Sequence, residues 1–235
     1  MLFAVGVMIR LGIWQLDRLA ARRAGNAHIR AMQAAPALDL NTLDPSLELE
    51  TMEYRRAAAQ GVYDFDRQVA LRNQYWGIPD GPAEYGYHLL TPLLLLDGRA
   101  VLVDRGWIPG DYTDPATWHV FDLPGEVTVT GILRLSQAEA EMGGLSTGEA
   151  LPGQRLDFWV LPDLPSISLQ LPYTLLPVYL QQASVAGEAA LPYKALPELV
   201  LTDGLHLGFA LQWFFYTSLV FFGYPVFLRK RQGGQ

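Results

Sequence analysis

From Leu205 to Leu228 the chain carries no Asp, Glu, Lys or Arg over 24 residues. As a helix this run is roughly 36 Å long, enough to cross a bilayer core. Asp203 and Gly204 precede it, and Arg229, Lys230 and Arg231 close it. That basic cluster predicts a cytoplasmic or matrix C-terminus. Trp213, Tyr216 and Tyr224 add aromatic bulk, and Pro225 falls near the exit, where a broken helix costs least. A buried core helix is the alternative, but length and flanks favour a span.

The first residues are harder to read. Met1 to Leu16 is mostly apolar, but Arg10 interrupts it and it is short for a span. A signal peptide would need a charged region before the apolar run and a small-x-small cleavage site after it, and neither is present. The stretch "GIWQLDRLAARR" continues as a helix leaving a membrane. The expectation is a first transmembrane helix whose start is missing from this chain. Arg18, Arg22 and Arg23 then lie on the outer side, against the charge rule; the stronger C-terminal signal and an even number of crossings outweigh them.

Between the two apolar ends the texture changes. Arg18 to Gln33 reads as continuing helix, ended by Pro36. "PALDLNTLDPSLELETMEYRR" has turn residues and sparse periodicity, which predicts a connector with short irregular pieces. Strand-like runs follow: "RRAAAQGVYDF", "RQVALRNQYW", "EVTVTGILRL" with Gly131 as an expected bulge, "RLDFWVL" and "LPVYLQQ". "DLPSISLQL" reads as a short helix. In "YGYHLLTPLLLLDGRAVLVDRGWIP" two apolar runs flank Asp97-Gly98, a pair favoured in two-residue hairpin turns with positive φ at both positions.

The expected fold class is therefore a membrane protein of α+β type. Two transmembrane helices flank a mainly antiparallel β domain, a sandwich or partial barrel, outside the cytoplasm. The boundaries expected are 1–19 for the first span, 20–203 for the extracytoplasmic domain, 204–228 for the second span and 229–235 for a basic cytoplasmic tail. The compact form without a presequence favours a bacterial plasma membrane over the mitochondrial inner membrane of a eukaryote.

Composition narrows the function. Of 235 residues, 50% are hydrophobic and 17% charged, apolar-rich for a soluble protein. A formal net charge of -7 leaves no basic excess to neutralise phosphates, which argues against nucleic acid as a partner. The chain has no cysteine, so disulfides, thiolate catalysis and Cys-ligated metal sites are excluded.

Little of the chain reads as enzyme chemistry. "GLSTG", Gly144 to Gly148, fits the G-x-S-x-G nucleophile elbow, which would make Ser146 a serine-hydrolase nucleophile. Its flanks are polar and Gly-rich where a strand and a helix are required, and the match is read as chance. His28, His88 and His119 have no second ligand type at metal spacing on the same face, and are read as surface or hydrogen-bonded core histidines.

His206 differs. On a helix it heads a stripe through Phe209, Trp213, Tyr216 and Val220, an imidazole above an aromatic column at a membrane edge. Ionisable groups there pair or serve a ligand. A neutral imidazole is a good axial ligand for haem iron, the column would pack the macrocycle, and Arg18 or Arg22 would reach its propionates. The plain alternative is a histidine that only caps the helix start.

Three blocks resemble the surfeit locus protein 1 family. "LGIWQLDRL", Leu11 to Leu19, looks like its signature at the end of the first span. "GYHLLTPLLLLDGRAVLVDRGWIP", Gly86 to Pro109, resembles its most recognisable block, and "HLGFALQWF", His206 to Phe214, the opening of its second span. The blocks occur in the family's order and are spread over nearly the whole chain.

This resemblance implies a non-enzymatic assembly factor for haem–copper cytochrome c oxidase that helps deliver haem a to subunit I. It implies other oxidase assembly factors and the lipid bilayer as partners. Haem a binding in bacterial members has been associated with the histidine that opens the second span, here His206, as axial ligand to the iron. Phe209, Trp213, Trp14 and Arg18 are the further cofactor-binding candidates. Trp14, Gln15 and Arg18 match recurrent positions of the first block. Arg105, Gly106 and Trp107 match the central block, with Gly86 and Tyr87 at its start, and are expected to be structural or partner-facing. Gly204 and Leu205 stand where a pair of asparagines is common, and Phe209 where a tyrosine is usual. The rival expectation is a membrane-anchored scaffold for oxidase subunits, with Trp107 in its contact surface and no direct haem ligation.

Overall fold

The fold is taken from a computed structural model, which describes residues 2–44, 46–77, 82–137, 155–184, 190–196 and 199–225. Contacts divide the chain into two units, Met1–Ala31 with Leu199–Gln235, and Met32–Glu198. The Ser146 motif, the end of the apolar run at 226–228 and the basic tail lie outside the described residues.

The larger unit is built on strands β1 (Leu38–Asp39), β2 (Arg56–Tyr63), β3 (Val69–Trp76), β4 (Glu84–Leu95), β5 (Ala100–Pro109), β6 (Glu126–Leu135), β7 (Phe158–Trp159) and β8 (Leu175–Gln182). A short helix, α2, spans Leu164–Ser168 between β7 and β8. The runs read as strands in the sequence are thus strands, and "DLPSISLQL" holds the helix.

The expected sandwich or partial barrel is instead a closed barrel. The order β2-β6-β8-β5-β4 returns to β2 because Tyr63, Val62 and Gly61 pair with Leu93, Leu94 and Leu95. Four of these five pairings are antiparallel, and β5–β8 is parallel. Closure is possible because β4 has 12 residues, so its first part pairs with β3 and its end with β2. A closed ring removes the exposed edge that an open sheet would leave. The interior holds Ala57, Ala59, Leu93, Val103, Val129 and Leu180 among others. In β2 the inward side is small at Ala57, Ala59 and Gly61, as a narrow five-stranded interior requires.

Two local expectations fail. Gly131 is not a bulge: its pairings to Ala57 and Gln182 run on without a shift, and the missing Cβ serves a close approach to the Gln181 carbonyl. The hairpin turn is longer than two residues. Gly98 N–H bonds Leu95 O at 3.1 Å, Leu95 N–H bonds Arg99 O at 2.9 Å, and only Gly98 takes positive φ, +84°. This is a type I turn closed by a left-handed glycine, which fits the strand twist as well as the mirror-image turn does. The stretch around His119 forms a 3₁₀ helix over Pro115–Phe121, capped by Asp114 accepting from Ala116 N–H at 3.0 Å.

In the smaller unit, α1 runs from Leu2 to Ala34 and α3 from His206 to Ser218, followed by a π-helical turn over Leu219–Gly223. The buried residues of α1 are Val5, Gly12, Leu19 and Asn26, seven apart, the repeat of one helix packed along another. Among the described residues, no helix is long and apolar enough to cross a membrane. α1 carries Arg10, Asp17 and Arg18 within its first half, and the described part of the second apolar run stops at Pro225.

Candidate functional site

The approach to α3 is tied to α1 by side chains on one flank of that helix. Arg30 Nη2 donates to Leu201 O at 3.0 Å, Asn26 Nδ2 to Thr202 O at 3.1 Å and Arg22 Nε to the same oxygen at 2.8 Å. Arg23 donates to Asp203 Oδ2 at 2.9 and 2.7 Å. The spacing of 22, 26 and 30 places three donors in a row, facing the carbonyls of the irregular backbone before α3. The hydrogen bond from Arg23, and then its charge, holds the Asp203 carboxyl below the usual range.

Gly204 then turns the chain with φ of +68°, and His206 opens α3. The imidazole is half-buried, and its Nδ1 lies 2.9 Å from Gln15 Oε1 on α1. It is therefore not a helix cap. The capping position is Leu205, which makes no side-chain capping bond. A Cβ added to Gly204 would stand 3.5 Å from His206 Cδ2 and 3.8 Å from both His206 Nε2 and Arg22 Nε. Among the described residues Nε2 has no hydrogen-bond partner, and it and the Arg22 guanidinium border one notch at Gly204, where there is no side chain.

Below His206 the contact face continues through buried Ala210 to Phe214. Gly12 of α1 receives the Phe214 ring; a Cβ there would come within 2.7 Å of it. This contact stripe runs beside the one expected from the sequence. Trp213 is half-buried and meets Tyr216 edge-on at 6.5 Å, while Phe209 and Tyr216 are exposed. Trp14 is exposed too, with the Arg18 guanidinium over its ring at 5.9 Å. Among the described residues, neither Trp14 nor Arg18 bonds His206. Arg22 is occupied by Thr202, so Arg18 is the freer cation of the two.

The central block lies inside the barrel unit. Leu89 faces Gly106 and Leu90 faces Asp104, so Arg105 is the extra residue of a bulge between β4 and β5. Arg105 is 2% exposed. Its Nη2 donates to Phe121 O, and its guanidinium stacks 5.1 Å from the ring centres of Tyr63 and Phe65. Burial pulls its pKa down from the ordinary value, and burial pushes the Tyr63 phenol up to about 12. Gly106, at φ of +117°, lets the Tyr193 carbonyl approach. Trp107 is 1% exposed, exchanges backbone hydrogen bonds of 2.8 Å with Tyr193 and stacks on its ring at 6.0 Å and 7°.

Sequence reading missed two partnerships. His88 has a carboxylate after all: Nδ1 lies 2.9 Å from Asp104 Oδ2, on the neighbouring strand. Sixteen residues of separation hide it, although the hairpin pattern could have paired 88 with the residues near 104. Gln15 is the second: it matches a recurrent position of the first block, and its partner is His206, on the helix that packs along the Val5, Gly12 and Leu19 repeat of α1. Among the described residues no group of three or more His, Asp or Glu is placed to hold a metal ion.

Comparison with known proteins reaches the same blocks. A SURF1-like protein of Caenorhabditis briggsae is 24% identical over 173 residues, covering 67% of this chain and 53% of that protein. Surfeit locus protein 1 of Takifugu rubripes is 28% identical over 138 residues, 54% and 57% of the two chains. A SURF1-like protein of Rickettsia felis is 24% identical over 215 residues, 88% and 86%. The chain's match thus spans little more than half the length of the worm and fish relatives. The model of the SURF1 family matches residues 2–217, taking in α1, the barrel and most of α3. With that match added to the three sequence blocks, this chain belongs to the SURF1 family.

Proposed function

We propose that this protein is a membrane-anchored, non-enzymatic assembly factor for cytochrome c oxidase, and that His206 ligates or transiently receives haem a bound for subunit I. Family membership supports the oxidase assembly role. The observation that carries the site is the notch at Gly204. There His206 Nε2 is left open beside Arg22, while Nδ1 is engaged by Gln15. The residues fit such a group: an imidazole nitrogen for the iron, apolar Phe209 and Trp213 on the same helix, and Arg18 on Trp14 as a cation for propionates. When bound, the haem supplies the metal centre that accepts the imidazole lone pair. The chain's own work is to hold that ring still and keep a place open next to it.

On this reading Leu205–Leu228 spans the membrane, α1 provides the first crossing, and the barrel unit lies on the extracytoplasmic side. The membrane is the plasma membrane of a bacterium, or the mitochondrial inner membrane in a eukaryote. Other oxidase assembly factors are the partners expected. A scaffold working through Trp107 is less favoured, because that indole is buried under Tyr193.

The test is the optical spectrum of the detergent-purified chain, expressed with haem a synthesis, wild type beside His206→Ala. A haem a spectrum in the wild type and its loss in a folded variant is the expected result. Equal haem content in both would overturn the reading.

A further inference from the structure

We propose that Gln15 is a positioning residue: with Arg22 it fixes His206 as the neutral Nδ1–H tautomer, leaving the Nε2 lone pair free at the Gly204 notch. This deepens the haem reading and rests on it only for the identity of the ligand.

Two independent observations point the same way. First, His206 Nδ1 and Gln15 Oε1 are 2.9 Å apart. An amide oxygen only accepts, so the proton of that bond sits on Nδ1. A neutral imidazole carries one N–H, and placing it on Nδ1 leaves Nε2 bare. Second, Arg22 Nε and His206 Nε2 lie within 3.8 Å of one common point, where the Gly204 Cβ would be. Arg22 is held there by Thr202 O at 2.8 Å. A positive charge held no more than twice that 3.8 Å from Nε2 favours a lone pair there over an N–H dipole pointing at it.

The consequence is chemical. A ring nitrogen must present its lone pair to bind a metal, and a partner on the other nitrogen fixes both tautomer and orientation. Such outer partners are worth roughly 10–100-fold in metal affinity. The Gln15 bond also joins α1 to α3, so the state of this ring depends on the packing that seats Phe214 at Gly12.

The test uses the full chain in detergent, labelled with ¹⁵N-histidine and free of haem. Long-range ¹H–¹⁵N correlations report which ring nitrogen carries the proton. In the wild type we expect Nδ1 protonated and Nε2 bare. Gln15→Leu should lose that preference, and Gln15→Glu, which keeps an acceptor, should retain it. Haem a titration of the same variants should show about a tenfold weakening for Gln15→Leu and near-wild-type binding for Gln15→Glu. A wild-type His206 protonated on Nε2, or a Gln15→Leu tautomer unchanged from wild type, would overturn the proposal. If the tautomers behave as expected but His206→Ala still binds haem a, the positioning role stands and the haem reading fails.

Discussion

His88 and Asp104 form an ion pair across β4 and β5, with Nδ1 2.9 Å from Oδ2 and side-chain exposures of 18% and 6%. The same carboxylate accepts from Gly106 N–H at 3.0 Å, which ties it to the bulge that carries Arg105 inward. Burial alone would lower the His88 pKa. The negative charge of Asp104 and its hydrogen bond outweigh burial, and the value is raised.

A raised histidine pKa stabilises the fold fully below the ordinary imidazole value, and the contribution is lost as pH rises through the folded value. Stability of the wild type should therefore fall, through this pair, as pH rises from the ordinary imidazole value through the raised value of the folded state. In Asp104→Asn the negative charge is gone and at most a neutral amide acceptor remains against burial, so the His88 contribution should reverse and grow with pH. Denaturant midpoints of the two proteins across that range read this out. Parallel pH profiles would show that the pair does not titrate as described.

Gly61 marks the point where the barrel closes. A Cβ there would collide with the Leu94 carbonyl of β4 and come within 3.3 Å of Leu93 Cγ. Because the obstacle is backbone, Gly61→Ala should cost about 1–3 kcal/mol or more. Unfolding by denaturant measures the cost, and a midpoint equal to wild type would mean that β2 and β4 can part without loss.

Trp107 should prove to be a core residue. Trp107→Ala leaves a cavity under Tyr193 and should cost about 3–5 kcal/mol. Among the described residues its Nε1 is buried without a partner, so Trp107→Phe gives up no hydrogen bond there and should cost only about 1–2 kcal/mol. Unfolding curves with near-ultraviolet circular dichroism separate the two. A stable Trp107→Ala protein that no longer supports oxidase assembly would return Trp107 to the partner surface.

The absence of cysteine makes the topology directly testable, since a single introduced thiol is unique. Leu96 is 78% exposed at the β4–β5 turn, so Leu96→Cys should react with a membrane-impermeant maleimide from the extracytoplasmic side. Gln232→Cys, beyond the basic cluster, should react only after the membrane is opened. Labelling of both in intact cells would contradict two crossings with a cytoplasmic tail.

Much of the barrel was legible in the sequence because strands and turns are local. Alternating or wholly apolar runs such as 85–109 need only their own residues to declare a strand. Barrel closure was not legible. It depends on the end of β4 meeting β2 some thirty residues earlier in the chain, and no local pattern encodes that pairing. The Gly131 expectation failed for a related reason. A glycine in a strand looks the same whether it relieves a bulge or admits a neighbour's carbonyl.

At the site, His206 stood out by itself as an ionisable group at the head of an apolar run, and its order within three blocks was enough for the family. What the ring touches was decided by the tertiary structure alone. Gln15 is 191 positions away along the chain, and Arg22 reaches the approach to α3 only when the two helices lie together. Sequence determined which residues were available, through composition, periodicity and turn chemistry. Packing determined which nitrogen of His206 is engaged and which is open, because hydrogen bonds act over about 3 Å in space whatever the separation along the chain.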